Sequence, residues 1–177
     1  MTHEQYLDLC RQHPYYKGRW GYYSTAIEIL RREGFEPGEV LEIGPAMVPL
    51  VPGCQVMRLG RPSPHVCSPA PTYVWDARQT PWPIGDRRYA AAAALQVWEH
   101  LDGRQPQAFA ELRRVARFAV LSFPYQWHCP KDPIHHGIGD EQIAQWTMDH
   151  PTRDRQVVPD DEVPKLLRLV CSFEFDD

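Results

Sequence analysis

The chain lacks any apolar run approaching the ~20 residues that a membrane-spanning helix needs. Its first residues, Met1-Thr2-His3-Glu4-Gln5, are polar with no apolar core behind them, which is not the pattern of a secretory signal. An excess of basic charge is missing too. Lys and Arg number 19 against 23 Asp and Glu, for a net charge of −4. Bulk electrostatics therefore favour neither nucleic acid nor an anionic membrane as a partner. There is no internal repeat and no long run of like charge. Cysteine is present but unorganised. Cys10, Cys54, Cys67, Cys129 and Cys171 are odd in number, widely spaced and free of any C-x-x-C. This argues against a disulfide framework or a zinc knuckle and for a reducing, cytoplasmic setting.

What the chain has in excess is proline, 18 in 177 residues, about double the usual share. Many loops and short helices are expected. A first helix is placed over Glu4 to Arg11. In a second, Thr25 and Glu28 form a capping box and Gly34 supplies the stop. Glu39 to Gly44 is a short apolar run ending in glycine and reads as a buried strand. Further strands are expected at Gln55–Leu59 and Tyr73–Trp75, separated by a proline-rich loop from Gly60 to Pro71. Gln79 to Pro83 reads as irregular. The five alanines Ala90 to Ala94 have helical propensity, yet their flanks favour a buried central strand, and a strand is assigned. Asp102 is expected to cap a helix reaching Ala116. A strand from Phe118 to Phe123 is stopped by Pro124, Asp140 caps a short helix, and Arg155–Val158 and Arg168–Phe175 complete the sheet. The last strand is expected to carry one more polar face. The fold class is therefore α/β. It has a Rossmann-like, mostly parallel sheet of six or seven strands, helices on both faces and an antiparallel edge. One domain is expected, with residues 1–37 as a helical, aromatic cap and 38–177 as the core.

In such sheets ligands sit beyond the carboxyl ends of the strands, at the switch point. The ends here are Val40-Leu41-Glu42-Ile43-Gly44, Trp75-Asp76-Ala77 and Leu95-Gln96-Val97-Trp98-Glu99-His100-Leu101. Pro81-Trp82-Pro83, Glu111-Leu112 with Arg114-Val115, and Ser122-Phe123-Pro124 follow in a fixed order. From about Trp20 to Phe175 this progression resembles the class I S-adenosylmethionine (SAM) dependent methyltransferases, in particular the small-molecule branch. The resemblance implies SAM as cofactor and a small-molecule substrate of the kind found in specialised biosynthesis, methylated on oxygen, nitrogen or carbon. It implies that Glu42, Gly44, Pro45 and Ala46 meet the methionine part. Asp76 would accept from the adenine amino group with Ala77 beside it, and Gln96 and Val97 would flank the sulfonium.

Three positions depart from that pattern. Arg58 stands where the family places an acid that accepts from the ribose hydroxyls, and an arginine cannot accept. Gly44-Pro45-Ala46 replaces the usual G-x-G. Glu42 and Val56 are only 14 positions apart, which leaves little room for a crossover helix. A methyltransferase-like protein without SAM, acting as a non-catalytic partner or through the His128–His136 loop, is the alternative. Arg58 and Arg61 either accommodate a phosphorylated nucleotide or are solvated.

The chemistry-bearing side chains cluster late. Glu99 and His100 follow the fourth strand, either as an acid/base pair on the substrate or as a helix-start carboxylate and a packing histidine. His128, Cys129, His135 and His136 share one loop. Imidazole and thiolate suit zinc, but H-C-x5-H-H is not a recognised zinc spacing. The candidate catalytic groups are therefore His100, His135 and His136. Tyr23, Glu99, Tyr125 and His128 are the substrate contacts, and no metal is assigned. Tyr15, Tyr16, Trp20, Tyr22 and Tyr23 either cover the site as a lid or pack a helix on the sheet. Lys17 and Arg19 either present charge to an acidic substrate or are solvated. A homo-oligomer is compatible with all of this.

Overall fold

The computed structural model describes residues 1–45, 47–59 and 70–176. Seven strands form one sheet in the order β3-β2-β1-β4-β5-β7-β6. They are β1 (Val40–Ile43), β2 (Gln55–Arg58), β3 (Tyr73–Val74), β4 (Tyr89–Leu95), β5 (Ala116–Tyr125), β6 (Asp154–Pro159) and β7 (Leu167–Glu174). The first five pair in parallel; β7 runs antiparallel to β5 and to β6. The order reverses between β1 and β4, which fixes the switch point.

Alternation along the strands sends side chains into two cores. Leu41, Ile43 and Met57 face α3 (Gln105–Val115) and α4 (Asp140–Trp146), meeting Phe109, Leu112 and Trp146. Val40, Val56, Ala91 and Ala93 face α1 (His3–Gln12) and α2 (Trp20–Arg32), meeting Ile27 and Leu30. Full burial of each such aliphatic or aromatic side chain is worth about 1.5–3 kcal/mol relative to exposure. The alanine run is a strand because β1 and β5 both claim its backbone, and Ala91 to Ala94 are buried on both faces. Tertiary pairing overrides helical propensity here.

Several local expectations are corrected. Thr25 is no cap: α2 begins five residues earlier, and the Thr25 hydroxyl donates to the Gly21 carbonyl at 2.9 Å. The Asp161 carboxylate instead accepts from Gly21 N at 3.1 Å, satisfying a first-turn donor from across the fold. Asp102 sits in a turn at φ +51°, and α3 starts with Pro106 in its first turn, where proline is tolerated. Pro124 does not stop β5. Its backbone points to the side of β4, which ends at Leu95 opposite Ser122, so no partner loses a donor. Asp140 is the first residue of α4 rather than its cap, and its carboxylate takes the Tyr125 hydroxyl at 2.9 Å. The expected polar face of β7 is buried except at Glu174: Ser172 lies under α2 with its hydroxyl donating to Asp154 at 2.6 Å.

No helix lies between β1 and β2 among the described residues; the proline-rich loop falls largely outside them. A carboxylate stands in for the missing helix. Glu42 accepts from Leu50 N at 2.8 Å and from the Cys54 thiol at 3.6 Å, tying the turns of the crossover to β1. Among the described residues no helix is long and apolar enough to cross a membrane.

Burial pushes the Glu42 carboxyl up from 4.5 to about 7. The folded state holds this proton where the unfolded chain has released it. The stability drawn from it is full below pH 4.5 and is lost as the pH rises through 7. Glu42→Gln keeps the acceptor and removes the titration. Urea unfolding should show the variant gaining on the parent by roughly 3 kcal/mol between about pH 4.5 and pH 8. Parallel curves for the two proteins would mean that Glu42 is not buried as described.

Candidate functional site

At the switch point β1 and β4 both end in left-handed residues, Gly44 at φ +59° and Gln96 at φ +56°. Gly44 donates to the Met57 carbonyl at 2.8 Å. Gln96 is held by Ser122, whose carbonyl and hydroxyl each accept from Gln96 N at 3.1 Å. A Cβ on Gly44 would stand 3.0 Å from a methyl of Val97. The two turns are thus in contact, and a crevice opens above them.

The crevice has two compartments, of about 440 and 460 Å³, and Tyr16, Gly44, Pro45 and His100 border both. The smaller is walled by apolar groups including Ile43, Met57, Trp75 and Val97, with Ala77 beside them. Asp76 and Arg58 supply its charge. Asp76 is paired with Arg78 at 2.6 Å. The Arg58 Nε is buried and finds no hydrogen-bond acceptor among the described residues. The residue as a whole is half-buried, so the rest of its side chain keeps partial access to solvent. Ala46 and Arg61 lie outside the described residues.

The larger compartment takes Tyr15, Tyr16, Arg19 and Tyr23 from the N-terminal segment, together with Glu42, Gln96, Glu99 and His135. The aromatic cluster is therefore both packing and wall. Arg19 is not solvated: it stacks 4.2 Å over the Tyr15 ring. Arg168 and Asp160 form a buried ion pair at 2.7 Å in the same wall. Asp160 fills the space beside Gly18, where an added Cβ would meet its carboxylate at 2.2 Å. The pair spans the turn of the β6–β7 hairpin, eight residues apart, and it becomes part of the wall where that hairpin meets the cap.

Glu99 is the most unusual group. Its side chain has no exposed surface, and neither carboxylate oxygen has a hydrogen-bond partner among the described residues. Burial pushes its carboxyl up to about 8. The ring Nε2 atoms of His100 and His135 lie 3.9 and 4.0 Å from one of its oxygens. Burial holds the His100 imidazole below its usual range, and neighbouring His135 adds to this. Asp132, three residues before His135, hydrogen-bonds its Nδ1 at 2.7 Å. The Asp-x-x-His spacing is the signal in the sequence that would have found Asp132.

Three expected residues are not brought to the crevice. Tyr125 projects into the opposite core, its hydroxyl satisfied by Asp140 and Arg155. His128 and His136 are exposed, 5.4 Å apart ring to ring, and His136 accepts from Cys129 N at 3.1 Å. Successive residues of an irregular loop point apart, so His135 enters the site and His136 leaves it.

Strand order and switch point together are those of the class I SAM-dependent methyltransferase fold, and this chain has that fold. Among solved structures it resembles the N-methyltransferase NodS from Bradyrhizobium japonicum WM9 in complex with S-adenosylhomocysteine. The TM-score is 0.64 at 14% identity, over 88% of this chain and 86% of that one. The Burkholderia thailandensis 1,6-didemethyltoxoflavin-N1-methyltransferase gives 0.61 at 14% identity, over 88% and 78%. A geranyl diphosphate methyltransferase bound to GPP and sinefungin gives 0.58 at 11%, over 88% and 78%. No protein-family model matches the chain, and no curated protein does.

Gly44→Ala would strain a left-handed residue and press on Val97. A loss of about 1–2 kcal/mol in urea unfolding is expected, and adding Val97→Ala should recover the contact part but not the backbone part. An unchanged midpoint for Gly44→Ala would show that the turns do not touch.

Proposed function

We propose that this protein is a SAM-dependent methyltransferase acting on a small molecule. The observation that carries the reading is the two-compartment crevice at the switch point, joined through Gly44 and His100. The smaller compartment suits a nucleoside. Its apolar walls match the faces of adenine, and the Asp76 carboxylate can accept from an exocyclic amino group. On the ribose side Arg58 offers donors only, so the hydroxyls would accept there instead of donate. SAM, when bound, supplies an electrophilic methyl group. Gly44, Pro45, Gln96 and Val97 would hold its methionine and sulfonium region against the shared wall.

The larger compartment would then hold the acceptor molecule. Methyl transfer needs alignment and exclusion of water more than covalent help. Tyr15, Tyr16 and Tyr23 provide apolar walls with polar tips, and Arg19 and Arg168 favour an acceptor with anionic or carbonyl groups. His100 and His135 would face the atom to be methylated. The contribution of the N-terminal segment to the walls supports reading residues 1–37 as a cap on a core of 38–177 in one cytoplasmic domain. Neighbours of the same fold that carry N-methyltransferase and geranyl diphosphate methyltransferase names support a small-molecule acceptor.

The competing reading, a relative that no longer binds SAM, draws on Arg58 and on the pairing of Asp76 with Arg78. Isothermal titration separates the two. SAM and S-adenosylhomocysteine should each bind the full chain one to one in the micromolar range, with Asp76→Ala weakening both about tenfold, the equivalent of one hydrogen bond near 1.4 kcal/mol. No heat from either at millimolar concentration would remove the enzymatic reading.

A further inference from the structure

We propose that Glu99, His100 and His135 form a binding site for one divalent transition-metal cation of the zinc class. Their ligand atoms all lie within 4.8 Å of one another. Two donors on one tetrahedral zinc stand about 3.4 Å apart, so each ring closes on the carboxylate by about half an ångström, and the widest pair in the cluster by up to about 1.4 Å, within reach of side-chain rotation. Two imidazoles and one carboxylate, with further positions left open, form a donor set that suits zinc, cobalt or iron better than magnesium.

The independent observation is the state of Glu99. Both of its oxygens are buried and unpartnered among the described residues. A proton does not resolve this, because the neutral acid would bury an unpaired O–H donor in place of a charge. A cation between Glu99 and the two rings satisfies the carboxylate directly.

The surroundings are built as a metal site requires. The Asp132 carboxylate takes the Nδ1 proton of His135, which leaves the Nε2 lone pair on the side of Glu99. The Trp127 ring stacks on His135 at 5.7 Å, and its indole N–H is tied to the Leu167 carbonyl, so the imidazole is held in place. The His100 ring meets His135 edge-on at 5.2 Å. All three ligands border the larger compartment, so the remaining coordination positions open into it. There the cation would take an oxygen or nitrogen of the acceptor molecule and lower its pKa; this role, unlike the binding itself, rests on the methyltransferase reading.

The test uses tag-free, EDTA-treated full chain titrated with ZnCl2, and separately with MgCl2, in the absence of SAM. One equivalent of Zn2+ should bind with micromolar or tighter affinity, and Mg2+ should not. Glu99→Gln and His135→Ala should each weaken Zn2+ at least about 30-fold, and Asp132→Asn about tenfold. The metal-free Glu99→Gln protein should melt no lower than the parent, because an amide of the same shape replaces a buried carboxyl group that is itself unpartnered. Co2+ added to the parent should give visible absorption bands of low-coordinate, inner-sphere cobalt. Failure of one-to-one Zn2+ binding below about 100 μM, or a featureless Co2+ spectrum, would overturn the proposal. So would binding that survives Glu99→Gln and is lost in His128→Ala/His136→Ala. Zn2+ binding without SAM binding sinks the methyltransferase reading alone, and SAM binding without Zn2+ sinks the metal site alone.

Discussion

The site depends on one packing constraint, the contact between the turns that end β1 and β4. Each strand is buried between two partners, so the chain can leave the sheet only at its carboxyl edge. Gly44 leaves in a left-handed turn with Val97 against its Cα, a position that a side chain would deny. That contact puts the start of the helix-less crossover beside the Gln96–His100 segment. The common border of the two compartments follows from it, and with it the chance for a nucleoside and a second molecule to meet.

Around this contact the fold uses buried polar groups in place of regular structure. Glu42 anchors a crossover that has no helix to stiffen it. The Asp160–Arg168 pair anchors the cap, with Asp160 lodged against Gly18 and Arg168 under the rings of Tyr22 and Trp127. Buried pairs of this kind add little net stability over apolar packing, but leaving one partner alone is costly. Their use here fixes geometry: the cap can sit in one place, and Arg19, Tyr16 and Tyr23 are thereby set into the wall.

The architecture was legible because it rests on pattern. Buried runs ending in glycine or aspartate, helices between them and a late antiparallel pair lead to a parallel sheet with a switch point. The alanine run was readable from its flanks, despite its propensity. Helix starts were less legible, since Gly21 is capped by Asp161 from 140 residues away and Thr25 offered a nearer, unused signal. In the site, Gly44, Asp76, Gln96, Glu99 and His100 follow strand ends, and strand ends converge by topology. Tyr125, His128 and His136 point away from the crevice because side-chain direction in β5 and its following loop is set by packing against α4 and by local hydrogen bonds. Asp160, Arg168 and Trp127 were illegible, for they reach the crevice only through tertiary contacts.

The most direct test of the whole account is a crystal structure of the protein grown with S-adenosylhomocysteine. The account places the adenine between Ala77 and Val97 with its amino group on Asp76, and the sulfur over the Gly44–Gln96 junction facing His100. A nucleoside bound elsewhere, or a crevice closed by side chains with no ligand in it, would contradict it.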